Sequence, residues 1–109
     1  MSLAERDPVP VKDMTGPVAG DELANLIQQL AEGWNVIEAH HLEKRFEFDD
    51  FGAAMDFADD VGDIAEEMDH HPDICFGWGY CQITIWTHKI GGLSVNDFIF
   101  AARAEEAAE

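Results

Sequence analysis

Residues 74–88, ICFGWGYCQITIWTH, decide the class of fold. They divide into two strands, ICFGWG and YCQITIWTH, turning back on each other near Gly79-Tyr80. In the second strand Cys81, Ile83, Ile85 and Thr87 share one face, while Gln82, Thr84, Trp86 and His88 share the other. That alternation suits an antiparallel sheet with one packed face and one wetter face.

Downstream, the GGL at 91–93 breaks the chain. Ser94 then caps a last helix, with Asp97 three residues on in capping-box spacing and Val95, Phe98, Ile99 and Ala102 facing inward. Upstream, Asp49 and Asp50 open a helix from about Phe51 to Met68. Its apolar stripe is Phe51, Ala54, Met55, Ala58, Val61, Ala65 and Met68. Its other face, Asp56, Asp59, Asp60, Asp63 and Glu67, holds no basic residue and reads as solvent-exposed. Before it, WNVIEA (34–39) and LEKRFEF (42–48) flank His40-His41 as a further hairpin, with Leu42, Lys44, Phe46 and Phe48 on the buried face.

Leu23, Leu26, Ile27 and Leu30 predict a first helix over about 21–32, capped by Asp21 and ended by Gly33. Residues 1–20 contain Pro8, Pro10, Pro17, Gly16 and Gly20 and no apolar period, and read as an irregular arm. The order α-β-β-α-β-β-α predicts an α+β fold. It is a four-stranded antiparallel sheet with helices packed on one face, in a single domain over 21–109. The opposite sheet face would be bare, and aromatic residues there predict association with a second copy of the chain.

Charge narrows the function. Six Lys and Arg oppose 23 Asp and Glu in 109 residues, a net −17. Such a surface repels phosphate backbones and anionic lipid, so neither nucleic acid nor a membrane is expected as a partner. No stretch resembles a signal peptide or a membrane span, and two cysteines are too few for a disulfide framework; a reduced cytoplasm is the expected location. There is no Gly-rich phosphate loop, nucleophile elbow, CxxC or HExxH.

The chemistry concentrates in EEMDHHPDI, residues 66–74. Pro72 cannot continue a helix and pushes His71 toward extended geometry, so the two rings point in different directions. Glu66, four residues before His70, shares a helical face with it and can bond it if the helix runs that far. His88 ends a strand just before Gly91-Gly92. Three imidazoles, one carboxylate and no nucleophile suggest proton transfer. A metal site built from His88, Glu66 and one of the paired histidines is the rival, and a loop pair of no consequence is the bland reading. His40 and His41 read as exposed turn residues, Asp97 as a cap, and Cys75 and Cys81 as small buried hydrophobes.

Together, EEMDHHPDI and ITIWTHKIGGLSVNDF (83–98) resemble the pterin-4a-carbinolamine dehydratases, and the similarity begins earlier, at GWNVIE (33–38) and FEFDDFGAAMDFADDV (46–61). It covers residues 22–103. The family pattern is an acidic residue, His-His-Pro, an aromatic in the next strand, a Thr-His strand end and a distant Asp. Here these are Glu66, His70-His71-Pro72, Trp78, Thr87-His88 and Asp97.

The resemblance implies dehydration of 4a-hydroxytetrahydropterin to quinonoid dihydropterin, the step that recycles the cofactor of aromatic amino-acid hydroxylases. Pterin would be the substrate, with no metal or organic cofactor. It also implies roles: His70 and His88 as acids toward the 4a-hydroxyl, His71 as positioning residue or N5 base, and Glu66 orienting His70. Asp69, Trp86, Thr87 and Lys89 would line the pterin. Members are oligomeric, which implies a homodimer or homotetramer. The alternative is a non-catalytic pterin-binding or protein-interaction module on the same scaffold. Two positions depart from the pattern: Trp86 stands where a small residue is common, and Asn96 where some members carry a basic one.

Overall fold

A computed structural model describes residues 2–109. Three helices, α1 (Gly20–Gln28), α2 (Phe51–Met68) and α3 (Val95–Ala108), accompany four strands, β1 (Asn35–Ile37), β2 (His41–Glu47), β3 (Asp73–Gly77) and β4 (Tyr80–Ile85). The sheet runs β1-β2-β4-β3 and every neighbouring pair is antiparallel. The class is α+β, with the element order the patterning predicts.

One face of the sheet is dry. Leu42 from β2 and Cys81, Ile83 and Ile85 from β4 have no exposed surface. Over them lie Phe57, Val61 and Ala65 of α2 and Phe98, Ile99 and Ala101 of α3. Burying this surface is the main stabilising term, at about 25 cal/mol per Å². Cys81 behaves as a core residue: burial, and then the Cys75 thiol, push its own thiol up to about 11. Cys75, expected to be buried, is exposed on the edge strand.

The stripe of α2 is rotated from the expected one. Phe57 is buried, whereas Phe51 and Met55 are 45% and 42% exposed. The helix starts at Asp50, whose carboxylate accepts from the Ala53 N–H at 2.8 Å. Its acidic face is exposed as read, at Asp56, Asp59, Asp60, Asp63 and Glu67.

The first helix begins after Ala19, not at an Asp21 cap, and ends at Gln28, short of Gly33. Ile27 is 39% exposed. The first hairpin also turns earlier than expected, at Glu38 and Ala39, both left-handed (φ 53° and 55°), with the His40 N–H on the Ile37 carbonyl at 2.8 Å. His41 is therefore a strand residue, and both histidines are half-buried. The second hairpin turns at Trp78-Gly79, where Gly79 supplies a φ of 83°.

The uncovered face of the sheet is mostly polar, with Glu43, Arg45 and Glu47 of β2 opposite Thr84, Gln82 and Tyr80 of β4, and its aromatic rings are Tyr80 and, just past the end of β4, Trp86. Four exposed apolar side chains belong to α2 and the neighbouring β3 hairpin, Phe51 and Met55 with Phe76 and Trp78, while Val9 and Ile27 are exposed on the arm and α1. On the packed face Lys44 is carried inward by the alternation of β2, and its ammonium reaches Glu105 of α3 and the Glu32 carbonyl.

Candidate active site

The junction after α2 is built by a left-handed residue. Asp69 (φ 50°, ψ 46°) ends the helix, and the His70 N–H closes back on the Ala65 carbonyl at 3.0 Å. This is a Schellman-type reversal. It turns His70 off the helix axis, so the four-residue spacing from Glu66 no longer brings the two together.

Glu66 meets His71 instead, with His71 Nε2 2.5 Å from Glu66 Oε2, both side chains more than half exposed. The expectation that Glu66 orients His70 is corrected accordingly. His70 is nearly buried, and its Nε2 lies 2.6 Å from Asp97 Oδ1. A carboxylate only accepts, so Nε2–H donates and Nδ1 is the nitrogen left free.

Asp97 is fully buried and fully bonded. Its Oδ2 accepts from the Thr87 hydroxyl at 2.9 Å and from the Ser94 N–H at 2.8 Å. Ser94 caps α3 through its side chain, which also meets Thr87 Oγ1 at 2.7 Å. Asp97 is thus a cap, as its spacing indicates, and also the anchor of His70. The second role joins residues 27 apart, which spacing alone does not reveal.

The three histidines 70, 71 and 88 line one cleft of about 460 Å³. Its lining comes from residues 69–73 at the helix-to-strand junction, from Thr87, His88 and Lys89 after β4, and from Val11 of the N-terminal arm. Asp69, Thr87 and Lys89 of the expected set line it; Thr87 does so while buried and bonded to Asp97. Trp86 does not line it. Its indole stacks on the His88 ring, centroids 4.4 Å apart and planes 13° apart. His40 packs on the same indole at 5.3 Å and His41 at 6.0 Å. Among the described residues no three His, Cys, Asp or Glu side chains converge in a way that would hold a metal ion.

The arrangement offers a slot lined by three imidazole rings, which can donate and accept hydrogen bonds, with no cysteine or serine among its described lining residues. Residues 16–107 match the sequence model of the family described as "Pterin 4 alpha carbinolamine dehydratase". The chain belongs to that family.

A protein of Rubrobacter xylanophilus, named "Putative pterin-4-alpha-carbinolamine dehydratase", is 52% identical over 103 residues, covering 94% of this chain and 95% of its own. A like-named protein of Alkaliphilus metalliredigens is 44% identical over 105 residues, 96% and 95% of the two chains. Among solved structures, a transcriptional coactivator/pterin dehydratase from Brucella melitensis superposes with a TM-score of 0.79. It covers 86% of this chain and all of its own, and at 24% identity it speaks to the dehydratase fold alone. A pterin dehydratase-like protein identified as a RuBisCO assembly factor in the alpha-carboxysome superposes with a TM-score of 0.61. It is 29% identical and covers 71% of this chain and 90% of its own.

Proposed function

We propose that this chain is a dehydratase acting on 4a-hydroxytetrahydropterin and releasing water and quinonoid dihydropterin in tetrahydropterin recycling. Family membership supports the reaction class. The observation that carries the mechanism is the presence of His70, His71 and His88 around one cleft.

The reaction breaks the C4a–O bond. The N5 lone pair forms the C4a=N5 double bond, the departing hydroxyl takes a proton, and N5 gives one up. An acid and a base suffice, with no metal or organic cofactor. His70 and His88, from two different segments of the lining, protonate the hydroxyl on either face of C4a. His71 positions the substrate or takes the N5 proton, and Glu66 holds its ring. Asp97 determines which nitrogen of His70 faces the cleft. Asp69, Thr87 and Lys89 contact the pterin, and Trp86 acts on it through His88.

Stopped-flow measurement of dehydration tests this reading. His70→Ala and His88→Ala are each expected to lower the catalysed rate by about 10²-fold or more with the fold retained. Wild-type turnover in the double variant would sink it.

A non-catalytic pterin-binding or protein-interaction module is the second reading, and the likeness to an assembly factor is what favours it. Stoichiometric pterin or protein binding without turnover is its signature. We place the enzyme in the cytoplasm, as a homodimer or homotetramer, without nucleic-acid or membrane partners. No helix is long and apolar enough to cross a membrane among the described residues. The exposed Phe51, Met55, Phe76 and Trp78 beside edge strand β3 support self-association.

A further inference from the structure

Proline-rich and without apolar periodicity, residues 2–19 should be a loose leader, yet they are tied down along their length. Leu3 is 4% exposed within the core. Arg103 donates from Nε to the Ala4 carbonyl at 3.1 Å and from Nη2 to the Arg6 carbonyl at 2.9 Å. Asn96 grips Val9 twice: the Val9 N–H donates to Oδ1 at 2.8 Å and Nδ2 donates to the Val9 carbonyl at 2.9 Å.

This grip suits an amide. Val9 presents one donor and one acceptor, and only a side chain carrying one of each answers both. A carboxylate offers only acceptors and a basic side chain only donors. Asn96 is 3% exposed, so its amide has no ready substitute in water, whereas Val9 is 37% exposed. It also precedes Asp97, so the first turn of α3 fixes the arm and His70 to one rigid element.

Beyond the grip, Pro10 leads into a 3-10 turn at Val11–Asp13, closed by the Asp13 N–H on the Pro10 carbonyl at 3.0 Å. That turn delivers Val11 to the cleft, and Lys89 bonds the Val11 carbonyl at 3.4 Å. Among the described residues, Val11 and Pro72 are the only apolar ones lining a cleft otherwise built of charged and polar residues. Polar walls suit the hydrogen-bonding edge of a pterin. An apolar wall suits the carbon side chain attached to its reduced ring.

We propose that the N-terminal arm is the specificity wall of this site, contacting the substituent at C6 of the pterin through Val11, and that Asn96 is its positioning residue. The inference rests on the pterin reading above.

Two measurements test it. Trypsin cleavage after Lys12 reports release of the arm. Calorimetric Kd values for tetrahydropterin with a methyl group at C6, and for tetrahydropterin bare at C6, report the wall. In Asn96→Ala, cleavage is expected to accelerate about tenfold or more, since proteolysis follows the open population. The Kd for the substituted pterin should rise about fivefold, with little change for the bare one, as a partial apolar contact in an open cleft implies. Val11→Ala, which leaves the grip intact, should reproduce the selective loss of affinity without faster cleavage. Wild-type cleavage in a folded Asn96→Ala protein overturns the latch. Equal affinities for both pterins, before and after Val11→Ala, overturn the wall. If the native chain binds neither pterin, the pterin reading and the wall fall together, while the cleavage assay still decides the latch.

Discussion

Asp97 shows how one residue serves both stability and chemistry. It has no solvent, and its two oxygens accept three hydrogen bonds, from His70, Thr87 and Ser94. Asp97→Ala strands three donors in the interior and should cost about 3 kcal/mol or more in denaturant unfolding. Asp97→Asn is more informative. An amide still accepts from Ser94 and Thr87, but it presents a donor to His70, which forces the ring hydrogen onto the other nitrogen. The fold should survive with dehydration slowed about 10²-fold; unchanged turnover would show that the ring needs no fixed tautomer. At this scale the sequence exposes the histidines, because His-His-Pro is contiguous and His88 ends a recognisable strand. It hides their partners, because Asp69 reverses the chain and exchanges Glu66 for Asp97 beneath His70.

Turns explain most of what patterning misplaces at the scale of elements. The alternation in 42–48 and 80–85 locates β2 and β4, since period-2 burial depends only on which face is dry. The β1–β2 connection is different. Its left-handed positions are Glu38 and Ala39, where Asn-Gly would be the expected chemistry, so no local signal marks the turn. His40 and His41 are consequently mistaken for the turn itself, although they pack on Trp86 behind His88. Left-handed backbone costs non-glycine residues about 1 kcal/mol or more each. Glu38→Asn with Ala39→Gly should therefore stabilise the protein by about 1 kcal/mol even after the added flexibility of glycine in the unfolded chain. That corresponds to a rise in Tm of about 4–8 °C for a domain of this size. A lower Tm would mean that Glu38 and Ala39 make contacts outweighing their strain.

For the whole molecule the question is how a chain of net charge −17 meets a copy of itself. Two ion pairs, Lys44–Glu105 and Arg45–Glu47, occupy a third of its six Lys and Arg side chains, and the acidic face of α2 has none. Patterning points to self-association through aromatic residues on the uncovered sheet face, but apart from Tyr80 and Trp86 that face is polar. The apolar surface lies instead at the margin where Phe51 and Phe76 pack with centroids 5.6 Å apart and Trp78 is 73% exposed. An edge strand with apolar neighbours is a natural pairing surface, and here nothing charged blocks it except Asp73 at its start. Repulsion between two such anionic chains acts over about a Debye length, near 10 Å at 0.1 M salt and 3 Å at 1 M. Association through an apolar margin should therefore strengthen as salt rises, opposite to an interface held by ion pairs. Light scattering should find a multiple of the 12.1 kDa chain mass, with dissociation at low salt and low concentration. Phe76→Asp, which sets a charge on the edge without touching the core, should leave the 12.1 kDa chain alone in solution with its fold intact. If that variant keeps the native mass, the contact lies elsewhere, and salt that weakens association would point to the charged faces.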